Sequence, residues 1–256
     1  MGVAEDKPLT SDVSPADRRL SFGQRAAEYD RFRPSYPREA MQWALGSAPL
    51  RVVDLGAGTG LMSGVLLECG HTVLAVEPDD GMRDQLTSRH LDRVTAVTGS
   101  AEAIPVADGS VDAIVAATSF HWFDLPAALP EMARVLRPGG TLVIVWNVRN
   151  DDVDWVDSMS RIVGREDARS GNRDTGVPEI VPWFSDVERC DFSYEELHDA
   201  DSLVKLVDTY SYVALSPRRD AVLSEIRQLA LNHPALVGRE TFTLPYQTTV
   251  YRATRA

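Results

Sequence analysis

The stretch that most constrains this chain is VVDLGAGTG, residues 52–60, where an apolar run meets three alternating glycines and a helical pattern starts at Leu61. A strand that turns sharply into a helix fits that order, because glycine lets the backbone bend and approach a ligand with no Cβ in the way. The unit then recurs. RVVDL (51–55), HTVLAVE (71–77), RVTAVTG (93–99), VDAIVAATS (111–119) and TLVIVWN (141–147) read as strands. Helical patterns fill 61–68, 79–90 and 125–136, the second capped by Asp79 or Asp80. The third ends at RPGG, where Pro138 cannot continue and Gly139 or Gly140 supplies a left-handed cap. These runs are β-branched on both faces, as parallel strands covered by helices on each side are.

A sixth strand is expected at 187–194, a helix at 216–232 and a closing strand at 240–252, whose alternation after Pro245 suits antiparallel pairing. The expected fold class is therefore α/β: a Rossmann-like, doubly wound, mostly parallel seven-stranded sheet with an antiparallel C-terminal strand. Residues 1–20, charged and aperiodic, read as a mobile arm before a single domain at 21–256. Within it, 21–50 form an N-terminal cap, with Phe22, Ala26 and Tyr29 on one helical face and an extended turn forced by Pro34 and Pro37. Residues 51–150 form a cofactor-binding core. Residues 151–186 break the rhythm and read as an insertion or lid over the strand ends, with Trp155, Trp183 and Phe184 as candidate walls of an acceptor pocket and Arg149 as a candidate to bind an acidic group there. Residues 187–256 complete the sheet.

A glycine-rich strand-to-helix turn can be purely structural, so the nucleotide question needs more. Glu77 closes the second strand, within the roughly twenty-residue reach of an acid that takes ribose hydroxyls. Read from Gly56, a dinucleotide fingerprint requires glycine at 61, where Leu61 stands. That third glycine serves close packing beneath a pyrophosphate. Its absence favours a nucleoside without phosphates over a nicotinamide-dependent oxidoreductase, which stays the alternative.

Four ordered motifs carry a resemblance. DLGAGTG (54–60), AVEPD (75–79), GSAEAIPVADGSVDAIV (99–115) and LRPGG (136–140) followed by TLVIV strongly resemble the class I S-adenosylmethionine-dependent methyltransferases. RAAEYDRFRPSYP (25–37) and SFHWFD (119–124) resemble a small-molecule subgroup similar to trans-aconitate methyltransferases, whose members often act on carboxylic acids. The resemblance implies S-adenosyl-L-methionine as cofactor. Gly56, Ala57, Gly58 and Gly60 would run beside its methionine part, with Asp54 near the ammonium group. Glu77 would accept both ribose hydroxyls, next to Pro78. Met82 would wall the adenine, or else pack as core. Ser100 stands where relatives usually carry Asp, with Ala101 and Glu102 completing the adenine turn. Tyr29 would reach the methionine carboxylate, and Arg33 that carboxylate or an acidic substrate. Thr118 would border the site, and His121 would act as general base, or else only orient the cofactor or pack beside Trp122. A cofactor-binding partner without turnover remains a second alternative, kept open by Ser100.

The formal net charge of −12 argues against a nucleic-acid partner. No eighteen-residue apolar run or apolar leader segment appears, so neither a membrane span nor a secretory signal is expected. Cys69 and Cys190, without ligand spacing, read as reduced core thiols of a cytoplasmic protein, and no metal site is expected. The remaining partner is a small-molecule acceptor, with the chain a monomer or homodimer.

Overall fold

The computed structural model describes residues 23–89, 91–164 and 180–256. The N-terminal arm, Phe22, His90 and the middle of the insertion lie outside the described residues. Seven strands form one sheet in the order β3-β2-β1-β4-β5-β7-β6. They are β1 (Arg51–Leu55), β2 (Thr72–Val76), β3 (Val94–Val97), β4 (Val111–Ala117), β5 (Leu136–Arg149), β6 (Phe184–His198) and β7 (Phe242–Arg255). The first five run parallel, and β7 pairs antiparallel with both β5 and β6. The order reverses between β1 and β4, which opens a crevice at the carboxyl ends of the strands, where open α/β sheets bind ligands.

Alternation along each central strand feeds two cores. Val53, Leu55, Ile114, Leu142 and Ile144 face the Leu125–Val135 helix through Ala128, Leu129 and Met132. Val52, Ala113, Val115, Val143 and Val145 face the opposite side, against Met41 and Ala44 of the Arg38–Leu45 helix and Met62 and Leu66 of the Leu61–Glu68 helix. A third core joins the Asp154–Ile162, Ala200–Asp208 and Arg219–Asn232 helices to Phe242, Leu244 and Tyr246 at the start of β7. The buried Asp208 carboxylate pins the N-terminal segment onto this helical layer, accepting from Arg25 and, at 2.7 Å, from Arg219 Nε.

Three expectations need correcting. RPGG does not cap a helix: β5 already begins at Leu136, and Gly139 takes its left-handed φ of 70° inside a bulge where the register jumps from Val111↔Leu136 to Ala113↔Thr141. Phe184 opens β6 opposite Arg255, buried in the sheet core at the edge far from the glycine loop, and Trp183 beside it is exposed. Neither walls the crevice. Trp155 packs edge-on against Phe242 at 5.4 Å inside the helical core. Finally, Cys69 and Cys190 are half-buried free thiols rather than core residues.

Candidate functional site

The crevice is built by β1 stopping while its neighbours hold the backbone beyond it. After Leu55, Gly56 N–H and Ala57 N–H both donate to Val76 O, at 2.8 and 3.2 Å. Gly60 closes the loop by donating to Ala57 O at 2.9 Å and stands as N-cap of the Leu61–Glu68 helix. A Cβ on Gly56 would lie 2.7 Å from Ser119 Cβ, so the β4 loop sets glycine there. Gly58, at φ +55°, faces open space. The resulting crevice encloses about 850 Å³, counted to its open mouth.

Two carboxylates serve it differently. Glu77 is buried, with Oε2 accepting from Gly58 N–H at 2.9 Å and Oε1 from Asp79 N–H at 3.0 Å. Both oxygens are thus held in place by backbone N–H groups at the end of β2. Asp54 is fully enclosed. Its Oδ2 accepts from Ser63 Oγ at 2.6 Å, and Oδ1 is buried with no partner. Burial pushes its carboxyl up to about 7, partly offset by the Ser63 hydrogen bond and reinforced by Glu77 nearby. Thr59 Oγ1 is another buried atom without a partner.

The structure brings together on the crevice wall most of the residues expected from sequence. Tyr29, Asp54, Gly56, Ala57, Gly58, Glu77, Pro78, Met82, Ser100, Ala101 and Thr118 all line it. Met82 satisfies both readings, since it is a buried core residue and a crevice wall, its backbone N–H held by Asp79 Oδ1 at 3.0 Å. Four expected residues lie elsewhere. Gly60 sits behind the loop, where a Cβ would come 2.8 Å from Leu86 Cγ. Glu102 turns away to accept from Asp124 N–H at 3.0 Å, at the N-cap of the Leu125–Val135 helix. His121 is exposed on the Phe120–Trp122 turn, its ring 4.8 Å from that of Trp122. Arg33 lies behind Tyr29, its guanidinium 4.9 Å from that ring.

Reading the sequence alone missed Tyr36, Thr59 and Phe123, which line the crevice as well. Tyr36 is the informative omission. Its hydroxyl lies 3.0 Å from Thr118 Oγ1, and burial holds the phenol protonated well above its ordinary range. Thr118 itself sits at φ 53°, a region that β-branched residues rarely adopt, while its N–H donates to Val145 O at 2.7 Å. The SYP step ahead of the core was a signal for a turn, and nothing in it showed that the turn ends on β4. Among the described residues, no group of three or more His, Cys, Asp and Glu could hold a metal ion, and no helix is long and apolar enough to cross a membrane.

Comparison with known proteins bears on the same segment. Residues 53–144 match the methyltransferase domain family. An uncharacterised methyltransferase of Mycobacterium tuberculosis is 43% identical over 245 residues, spanning 95% of this chain and 99% of its own. A malonyl-[acyl-carrier protein] O-methyltransferase of Methylococcus capsulatus is 41% identical over 134 residues, 48% of each chain. Among solved structures, a protein of Anaeromyxobacter dehalogenans described as a type II methyltransferase superposes with a TM-score of 0.65 at 29% identity, covering 88% of this chain and 97% of its own.

Proposed function

The chain belongs to the class I S-adenosylmethionine-dependent methyltransferases, and on that premise we propose that it methylates a small organic acceptor, a carboxylic acid or a hydroxyl compound, as its resemblance to the trans-aconitate methyltransferase subgroup implies. The observation that carries the reading is the pair of buried acids at the ends of β1 and β2. Glu77 is fixed on the crevice wall by the Gly58 and Asp79 N–H groups, and Asp54 presents an oxygen that nothing among the described residues satisfies. Those residues fit the cofactor. Glu77 would hold the two ribose hydroxyls, Asp54 Oδ1 and Thr59 Oγ1 would meet the amino-acid end, and Met82 and Ala101 would flank the adenine.

Bound S-adenosylmethionine supplies a methyl group on a positively charged sulfur, so the protein's own task is to orient and to exclude water. The glycine loop brings backbone against the crevice, Tyr29 and Trp122 line it, and Tyr36 with Thr118 fixes the β4 side. A carboxylate acceptor needs no proton removed before attack, which suits a crevice from whose wall His121 is absent. The O-methyltransferase relative, matched over 48% of its length, supports the same acceptor chemistry.

The test is a panel of small carboxylic acids, phenols and quinones with methyl-labelled cofactor, following label transfer and S-adenosylhomocysteine release. Label is expected on an oxygen of a small acid or hydroxyl compound. Wild-type protein that binds neither S-adenosylmethionine nor S-adenosylhomocysteine in calorimetry would end the reading.

A further inference from the structure

A column of four side chains runs from the crevice wall to the last residue of β5. Tyr29 lines the crevice and lies 4.9 Å from the Arg33 guanidinium, which lies 4.7 Å from the Tyr210 ring. The Arg149 guanidinium is 5.3 Å from that same ring, and Nη1 donates to the Tyr210 hydroxyl at 3.1 Å. Arg149 is only 8% exposed. Directly across the strands it pairs with Tyr246, so the two side chains share one face of the sheet at its carboxyl edge.

Among the described residues this buried cation has no carboxylate in direct contact. Its remaining bonds go to the Ser160 hydroxyl, from Nε at 3.4 Å and Nη2 at 3.2 Å, which leaves two of its five N–H donors unused. Among the described residues a carboxylate is reached only through that hydroxyl, which donates to Asp151 Oδ1 at 2.8 Å. Arg33 is satisfied no better: Nη2 donates to Thr209 O at 3.0 Å, and Nε is buried without an acceptor. The Tyr246 hydroxyl is likewise buried without a partner. Glu196 stands near Tyr246, and its Oε1 is occupied by Tyr194 Oη at 2.6 Å and Ser35 N–H at 3.2 Å. An uncompensated buried charge is costly, and buried polar groups without partners are exceptions in folded proteins. Two arginines and a phenol left in this state at one edge of the sheet are complementary to an anion.

We propose that Arg149, assisted by Arg33 and the Tyr246 hydroxyl, is the anchor for an oxyanionic group of the acceptor, a carboxylate or a phosphate. The guanidinium fork matches two oxygens of such a group. Anchored there, the acceptor extends past Tyr29 toward the crevice, so the anchored anion is distinct from the atom that is methylated. The inference rests on the crevice being the cofactor site and adds the charge and the hold of the substrate.

The full-length protein saturated with S-adenosylhomocysteine is titrated calorimetrically with glutarate, inorganic phosphate and the neutral glutaramide. Either anion is expected to bind while glutaramide does not, and the stronger of the two identifies the group. Arg149→Met should weaken anion binding at least tenfold and Tyr246→Phe several-fold, with S-adenosylhomocysteine affinity unchanged in both. Tyr246→Phe removes only an unpaired hydroxyl, so it tests the subsite even where Arg149→Met fails to fold. Equal binding of diacid and diamide, anion binding unchanged in the variants, or no anion binding by the wild type would overturn the proposal. Loss of S-adenosylhomocysteine binding by the wild type would instead remove the cofactor reading beneath it.

Discussion

Asp54 is a carboxyl with one oxygen held by Ser63 and the other facing nothing, and its titration follows from that. In the protein without ligand its folded pKa, about 7, lies above the unfolded value of 3.8. Its contribution to stability is therefore present below the unfolded value and lost as pH rises through about 7. An ammonium group arriving beside it reverses the preference and favours the ionised carboxylate. Cofactor affinity should then fall as pH drops below about 7, by up to about tenfold per pH unit, with a proton released on binding in that range. Asp54→Asn, which keeps an acceptor for Ser63, should weaken S-adenosylhomocysteine binding by roughly ten- to hundredfold at pH 8, the worth of a charge-assisted hydrogen bond of about 1.5–3 kcal/mol. It should also flatten the pH dependence. Calorimetry from pH 6 to 8.5 checks both, and a pH dependence that survives the substitution would locate the titrating group elsewhere.

One strand–loop–helix unit separates fold from binding within three residues. Gly60, at φ +85°, would place a Cβ 2.8 Å from Leu86 Cγ, whereas Gly58, at φ +55°, has nothing within 4 Å. Gly60→Ala combines a left-handed backbone penalty of about 1–2 kcal/mol with a core contact that must yield. It should lower stability by about 2–3 kcal/mol in chemical denaturation. Gly58→Ala carries the backbone penalty alone but points its methyl into the crevice, so its larger effect should be on S-adenosylhomocysteine affinity. The opposite ranking would mean that the loop does not cradle the ligand. Motifs of this local kind were legible because turn, strand and helix are specified within a few residues. RPGG was legible only in part: a left-handed glycine serves a helix cap and a strand bulge equally, and only pairing with Val111 and Ala113 decides between them. β6 runs well beyond the expected 187–194 because β7, more than forty residues later, is long enough to pair it from Phe184 to His198.

At the scale of the whole molecule, contacts between distant segments are what sequence reading could not reach. The crevice residues on β1, β2 and β4 were found because each follows its own strand, but the Tyr29–Arg33–Tyr210–Arg149 column joins segments up to 181 residues apart in the chain. The same long-range packing buries two histidines that no motif marked. His71 stands just ahead of β2, with Nδ1 accepting from Leu50 N–H at 3.2 Å and Nε2 buried without a partner among the described residues. His198 closes β6 with both ring nitrogens buried and unbonded. Burial lowers the pKa of each, and at His198 the nearby Glu196 and Asp199 only partly oppose it. Because the folded values lie below the unfolded 6.5, the neutral rings contribute stability that is present above about 6.5 and lost as pH falls through the folded values. The urea midpoint should therefore drop between pH 7.5 and pH 5. The drop should shrink in His198→Phe, which fills the site with an apolar ring that cannot bind a proton. Asp208, held low by Arg219 and Arg25, keeps its own loss to a more acidic range, so the two effects are separable in one pH series. Midpoints that stay level down to pH 5, or a decline that His198→Phe leaves intact, would show that these rings do not control the acid stability of the fold.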